Sequence, residues 1–390
     1  ATGAGEVAVT ALQSTDAANL SALTATTLTA AATLAADATE TFTGNLGTAA
    51  VALTGTDGGS NDIFNVDGAT MGTATFTVDS NATLQGTAAK LTGVTATGAG
   101  EVAVTALQST DAADLSAITA TTHTASVSGT NTSFTGDIGD AAVTVASGTW
   151  TVGNGATIST AASMSVSSGA TLTGDAAILT GETISGAGTV AVTALQSTDA
   201  ANLSAITATT HTASVSGTNT SFTGDIGDAA VTVASGTWTV GNGATISTAA
   251  SMSVSSGATL TGDAAILTGE TISGAGTVAV TALQSTDAAN LSALTATTLT
   301  AAATLAADAT ETFTGNLGTA AVALTGTDGG SNDIFNVDGA TMGTATFTVD
   351  SNATLQGTAA KLTGVTATGA GEVAVTALQS TDAANLSALT

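Results

Sequence analysis

Apolar and polar residues alternate one for one in short runs along most of this chain. Val7-Ala-Val9-Thr-Ala-Leu12, Phe76-Thr-Val78, Val143-Thr-Val145, Trp150-Thr-Val152 and Met164-Ser-Val166 each place their larger apolar side chains on one face of an extended strand. The runs span four to seven residues and close on Gly, Asn, Asp or Ser, as in VGNGAT, SSGAT and SGAGT. Those residues end strands because they tolerate left-handed backbone or bond to their own turn. Thr and Val dominate the runs, which suits a pleated, half-buried surface. One segment departs from the pattern. The polar cluster Gln13 to Asp16, followed by residues up to Leu23 that tolerate helix, predicts a helical turn at a corner.

The runs recur at long period. VAVTALQSTDAA begins at Val7, Val102, Val190, Val278 and Val373, so successive units are 95, 88, 88 and 95 residues long. Residues 1–6 end a preceding repeat; residues 7–101 form a longer unit A, 102–189 and 190–277 two shorter units B, 278–372 a second A, and 373–390 the start of another repeat. The A units are identical, and the B units differ only at Asp114 against Asn202. The seven-residue difference between A and B splits into three residues upstream of the Phe region and four in the segment around TGTDGGSNDIF, as loop changes on a constant scaffold do. Residues 1–24 recur unchanged as 367–390, so the chain is expected to be a window onto a longer array.

Two all-β architectures fit: a tandem-repeat β-solenoid, or a string of β-sandwich domains, for which a unit of ~100 residues is the right size. The solenoid is favoured. GAGEVAVTAL runs through each unit boundary without a linker, the motif of TWTVGNGATI recurs within a unit as SMSVSSGATL, and the apolar residues are mostly Ala and Val. Identical neighbouring sandwiches also invite domain swapping. Against the solenoid stands the 14-residue spacing of those two motif copies, short for a three-sided coil. The expected coil is roughly 20–30 residues, with neighbouring strands ~4.8 Å apart.

Composition removes several functions. With 29 acidic and two basic residues, Lys90 and Lys361, the net charge is −27, which argues against nucleic acid and anionic lipid as partners. No apolar run is long enough for a membrane span. Cysteine is absent, so disulfides supply no stability, and the absence of proline suits a ladder in which every N–H donates.

The run SVSSGATLTGDAAILTGETISGAGTVAVTALQSTDAANLSAITATTHTASV, a version of which lies in all four units, resembles the repeats of very large bacterial cell-surface proteins of the adhesin and haemagglutinin-like type. The resemblance implies export, an extracellular or cell-surface location, and a structural or adhesive role. It supplies no functional residues.

Candidate chemistry is sparse. The A-unit turn TDGGSNDIFNVD, with Asp57, Asp62 and Asp67 and their copies Asp328, Asp333 and Asp338, resembles the Gly/Asp nonapeptide that binds Ca²⁺ in β-rolls. The alternative is a polar turn stabilised by local hydrogen bonds. Asp137 and Asp140, repeated as Asp225 and Asp228, form a weaker version. Two neighbouring carboxylates are also what a glycosidase requires, but identical copies in consecutive units and the absence of Lys or Arg from B argue against an enzyme. His123 and His211 stand where A has Leu28 and are read as packing residues, and Trp150 and Trp238 as core anchors. Thr-x-Thr pairs such as Thr75/Thr77 and Thr149/Thr151 would share one side of a strand. Their variable middle residues argue against a regular ladder of the ice-binding kind. Sequons at Asn19, Asn81 and Asn131 carry no weight in so Thr- and Asn-rich a chain. The function expected is a surface fibre, stalk or layer component that self-assembles; an adhesin for glycans, a cell or ice is the alternative, and a polysaccharide-active enzyme the last.

Overall fold

The computed structural model describes residues 1–13, 17–59, 62–107, 112–195, 200–283, 288–330, 333–378 and 383–390. It is nearly all β, with 46% strand and 4% helix. Every described strand pair is parallel, which excludes the antiparallel sandwich. The chain forms two compact units, Ala1–Val192 with Ala205–His211, and Thr193–Ser204 with Thr212–Thr390. Each is a parallel β-solenoid, and together they hold about 17 turns.

Coil lengths follow from strand register. In the first A repeat, Val7 pairs Leu28, Thr29 pairs Ala50, Ala50 pairs Thr75 and Thr75 pairs Thr95, giving steps of 21, 21, 25 and 20 residues. In the first B repeat the corresponding pairs are Val102–His123, Thr124–Ala142, Ala142–Ser163 and Met164–Ile184, with steps of 21, 18, 21 and 20. The three- and four-residue differences between A and B therefore fall in two successive coils. Both are absorbed at corners, and the ladders are left alone.

Four coils account for 87 residues of the 95-residue A unit and 80 of the 88-residue B unit, so each leaves eight. Eight residues are roughly one side of a three-sided coil, so each repeat starts one side further round than the last. The strand Thr95–Val104 makes the step visible. Its residues 95–98 stack on Thr75–Val78, and its residues 101–104 on Ala82–Gly86, with a register shift at Gly98. The next repeat's Ala142–Val145 and Ser163–Val166 are the counterparts of Ala50–Thr54 and Thr75–Val78, yet they follow the second of these sheets. The second unit makes the same step: Thr259–Gly262 of a B repeat runs on through the boundary strand Thr277–Val280 into Thr298–Leu305 and Ala321–Gly326 of an A repeat.

Alternation does the packing. Ala125, Val143, Met164 and Ile184 form one inward column and Trp150, Leu172 and Val190 another, all at most 3% exposed. Phe42 and Phe64 stack on neighbouring coils with ring centroids 5.8 Å apart, and Phe134 meets Trp150 at 5.6 Å. The two motif copies 14 residues apart lie on different sheets. Thr149–Val152 pairs Thr171–Gly174, whereas Ser163–Val166 pairs Ala142–Val145. Their spacing is thus a distance within one coil, which removes the objection to the solenoid.

The described part of the segment predicted to hold a helical turn is not helical. Residues 14–16 lie outside the described residues, and 17–23 form a bridge at Asn19 and a turn. Single helical turns occur instead at Ala88–Leu91, Ala176–Leu179, Ala264–Leu267 and Ala359–Leu362. Two consecutive alanines favour the turn, and burial of its first Ala and last Leu anchors it. The preceding glycine leaves room: a Cβ on Gly174 would meet Leu179 Cγ at 3.1 Å. Lys90 therefore lies on a helical turn and not in a paired strand, its ammonium 2.5 Å from the Ala69 carbonyl oxygen.

Corners stack as closely as strands. Gly72 has φ +60°, and a Cβ there would meet the carbonyl oxygen of Gly47, one coil away, at 2.2 Å. Gly72→Ala is expected to destabilise the protein by about 1–3 kcal/mol, read as a lower thermal midpoint. An unchanged midpoint would mean that the corners do not stack in this register.

Candidate functional site

The A-unit acidic turn is built around Asp62, the first residue of the strand Asp62–Asn65. Alternation turns its side chain inward, where it is 0% exposed. A buried carboxylate needs donors, and here they are backbone amides from two corners. Asp37 N–H donates to Oδ1 at 2.8 Å, and Thr56 N–H to Oδ2 at 2.6 Å. Asp37 itself has φ +51°, so Asp62 holds a left-handed turn one coil away. Asp333 repeats the arrangement, with Asp308 N–H and Thr327 N–H each at 2.7 Å.

These bonds set the acidity. The Thr56 amide, with Asp37 and Asp57 behind it, holds the Asp62 carboxyl below the usual range against the upward pull of burial. At Asp333 burial is the largest influence, but the amides of Thr327, Asp308 and Asp328 together outweigh it and the carboxyl again lies low.

The other predicted ligands are engaged separately. Asp57 Oδ1 accepts Gly59 N–H at 3.4 Å, and Asp328 Oδ1 accepts Gly330 N–H at 3.3 Å. Asp67, beyond the far end of the strand, accepts Thr87 N–H from the next coil at 2.8 Å; Asp338 does the same with Thr358 at 2.7 Å. Among the described residues no three acidic or histidine side chains gather in a group that could hold a metal ion. The structure therefore does not bring Asp57, Asp62 and Asp67, or their copies, together as one ligand set.

The B-unit carboxylates are corner residues too. Asp137 Oδ1 accepts Gly139 N–H at 2.8 Å and Asp225 accepts Gly227 N–H at 2.8 Å, as Asn45 does with Gly47 at 3.0 Å in A. Asp140 instead meets His123 Nδ1 at 3.0 Å. His123 is 5% exposed, beside Leu28 at 4% in the equivalent place, and burial lowers its basicity although Asp140 pulls the other way. Trp150 and Trp238 are fully buried.

Sequence reasoning passed over two features. Asn19, Asp114, Asn202, Asn290 and Asn385 each accept the N–H of the serine two residues on at 3.1–3.2 Å, closing the same corner in every repeat. This explains the one difference between the B units, since Asp and Asn present the same acceptor oxygen. The recurring Asn/Asp-Leu-Ser triplet was the available signal. Glu182 and Glu270 stand where A has the buried Val94 and Val365. Glu182 is 8% exposed, and desolvation raises the carboxyl of both.

Two outcomes follow. Asp114→Asn should change stability by no more than about 0.5 kcal/mol; a larger loss in denaturant titration would show that charge, and not the acceptor oxygen, closes this corner. A depressed folded pKa stabilises above the unfolded value of about 4, and that stability disappears as pH falls through the folded value. The double variant Asp62→Asn with Asp333→Asn should therefore melt lower than the parent at neutral pH and lose less on acidification, because each Asn turns a donor toward one of the two amides. Parallel acid limbs for parent and variant would contradict the assignment.

Comparison with known protein families, with curated proteins and with solved structures returns no match for this chain.

Proposed function

We propose that this chain is a stretch of a structural surface fibre, stalk or layer, in which repeat number sets reach and the protein has no catalytic task. The observation that carries this reading is the constant eight-residue remainder. A and B differ by seven residues, yet both advance the next repeat by the same one side, so an A repeat is followed by a B in one unit and a B by an A in the other without a break in the ladder. Such interchangeability serves extension. A catalytic or specific binding site would instead mark one repeat out from the others. The carboxylates suited to catalysis or metal binding are occupied in closing corners, which favours a mechanical role for them.

An extracellular, cell-surface setting fits a net charge of −27 with no cysteine. Among the described residues no helix is long and apolar enough to cross a membrane. Self-association or glycan contact would take place through the outer faces of the coils. In this reading Ca²⁺ acts between acidic arrays as a shared counter-ion, because the oxygens of Asp62 and Asp333 are taken by backbone amides.

The test is length. Recombinant arrays of four, eight and twelve repeats should image as thin rods that lengthen by about 20 Å per repeat, since each repeat contributes a little over four coils spaced ~4.8 Å apart. Separate beads, or a length that does not grow with repeat number, would overturn the proposal.

A further inference from the structure

The second unit carries an uncharged outer face seven strands long. Its strands are Thr237–Val240, Thr259–Gly262, Thr277–Val280, Thr298–Leu305, Ala321–Gly326, Thr346–Val349 and Thr366–Gly369, stacked in that order. Alternate positions face out, and every one of them is Thr or Ala. Thr237, Thr259, Thr277 and Thr298 stand in register as one column. Beside it a second column runs Thr239, Thr261, Ala279, Thr300, Ala321, Thr346 and Thr366 through all seven strands. The columns lie ~6.6 Å apart, and side chains within a column ~4.8 Å apart. In the first unit Ala50–Thr54, Thr75–Val78 and residues 95–98 present the same Thr and Ala positions outward.

The middle residue of each Thr-x-Thr does not roughen this face. Trp238, Leu260, Val278 and Leu299 all point inward and are at most 4% exposed. The variation that argued against a regular array in the sequence is hidden in the core.

Three properties of the face define its ligand. It carries no charge in a protein of net charge −27, so it has neither electrostatic steering nor tightly hydrated ions. It has no exposed aromatic or Arg anchor of the kind that dominates protein interfaces and stacks on sugars. Each Thr offers a methyl and a hydroxyl on a side chain with little χ1 freedom to lose, repeated on a two-dimensional grid. Identical weak contacts on a grid add up only against a partner that is itself periodic, because each further contact is then made without a new search. We propose that this Thr/Ala face binds the water lattice of ice.

The experiment uses the whole chain and ice itself, reading thermal hysteresis, inhibition of recrystallisation and incorporation of labelled protein into a slowly growing ice hemisphere. The parent should enter the ice and hold a freezing gap. Thr75, Thr77, Thr259, Thr261, Thr346 and Thr348, each changed to Tyr, keep β-favouring residues on the strands but break the grid, and this variant should lose the activity while its melting curve stays that of the parent. If the Tyr set does not fold, the same six positions changed to Ser are read instead: the hydroxyl remains, the methyl that fixes it is lost, and the activity should again fall away. A parent excluded from ice overturns the proposal, as does a folded variant as active as the parent. Adsorption to crystalline cellulose or chitin without any effect on ice also overturns it, and would assign the face to a polysaccharide lattice.

Discussion

The in-register parallel ladder is the constraint on which the rest of this structure depends. Each strand both donates to and accepts from the coil before it and the coil after it, and side chains alternate in and out with period two. A slip of one residue between coils would turn an entire inward column outward. Length changes are therefore admitted only at corners, and this is where the three- and four-residue differences between A and B lie. The absence of proline has the same origin, since each missing N–H would open the ladder.

The corners solve the complementary problem. Where the chain leaves the ladder its amides lose their neighbours, and short acceptor side chains replace them. Asn19, Asn45, Asp114 and Asp137 each bond an amide two residues ahead. Asp62, Asp67 and Asp79 bond amides from other coils. Much of the acidity that suggests ion binding in the sequence is thus internal scaffolding. Carboxylates are strong acceptors for amides, but the same choice leaves a chain with 29 acidic residues and only two lysines to offset them. Both lysine ammonium groups bond carbonyl oxygens, those of Ala69 and Ala340, and neither forms an ion pair among the described residues.

The eight-residue remainder has a consequence for display. Because each repeat begins one side further round, a motif carried by every repeat visits successive sides, and a face is composed of different segments of successive repeats. The Thr/Ala face of the second unit is made in this way: Thr237–Val240 and Thr259–Gly262 come from a B repeat, Thr277–Val280 straddles the boundary, and the four strands from Thr298–Leu305 to Thr366–Gly369 come from the following A repeat. A face that is continuous in space is therefore discontinuous in sequence.

That difference separates what could be read from the chain from what required coordinates. The alternation of Val143-Thr-Val145 or Met164-Ser-Val166, the exact recurrence of the units and the lack of proline by themselves determined an all-β repeat with small apolar residues inside and favoured a stacked coil over a string of sandwiches, because period-two burial and ladder bonding are local properties of the residues. The burial of His123 in place of Leu28 was legible for the same reason. Position around the coil was not. It depends on corner lengths summed over some twenty residues per coil, and no local pattern reports that sum. Only the tertiary structure therefore decided that the coils pair in parallel, that Asp62 faces inward to two backbone amides while Asp67 serves another coil, that a helical turn sits at Ala88–Leu91, that the 14-residue motif spacing lies within one coil, and that Thr-x-Thr pairs from different repeats share one face.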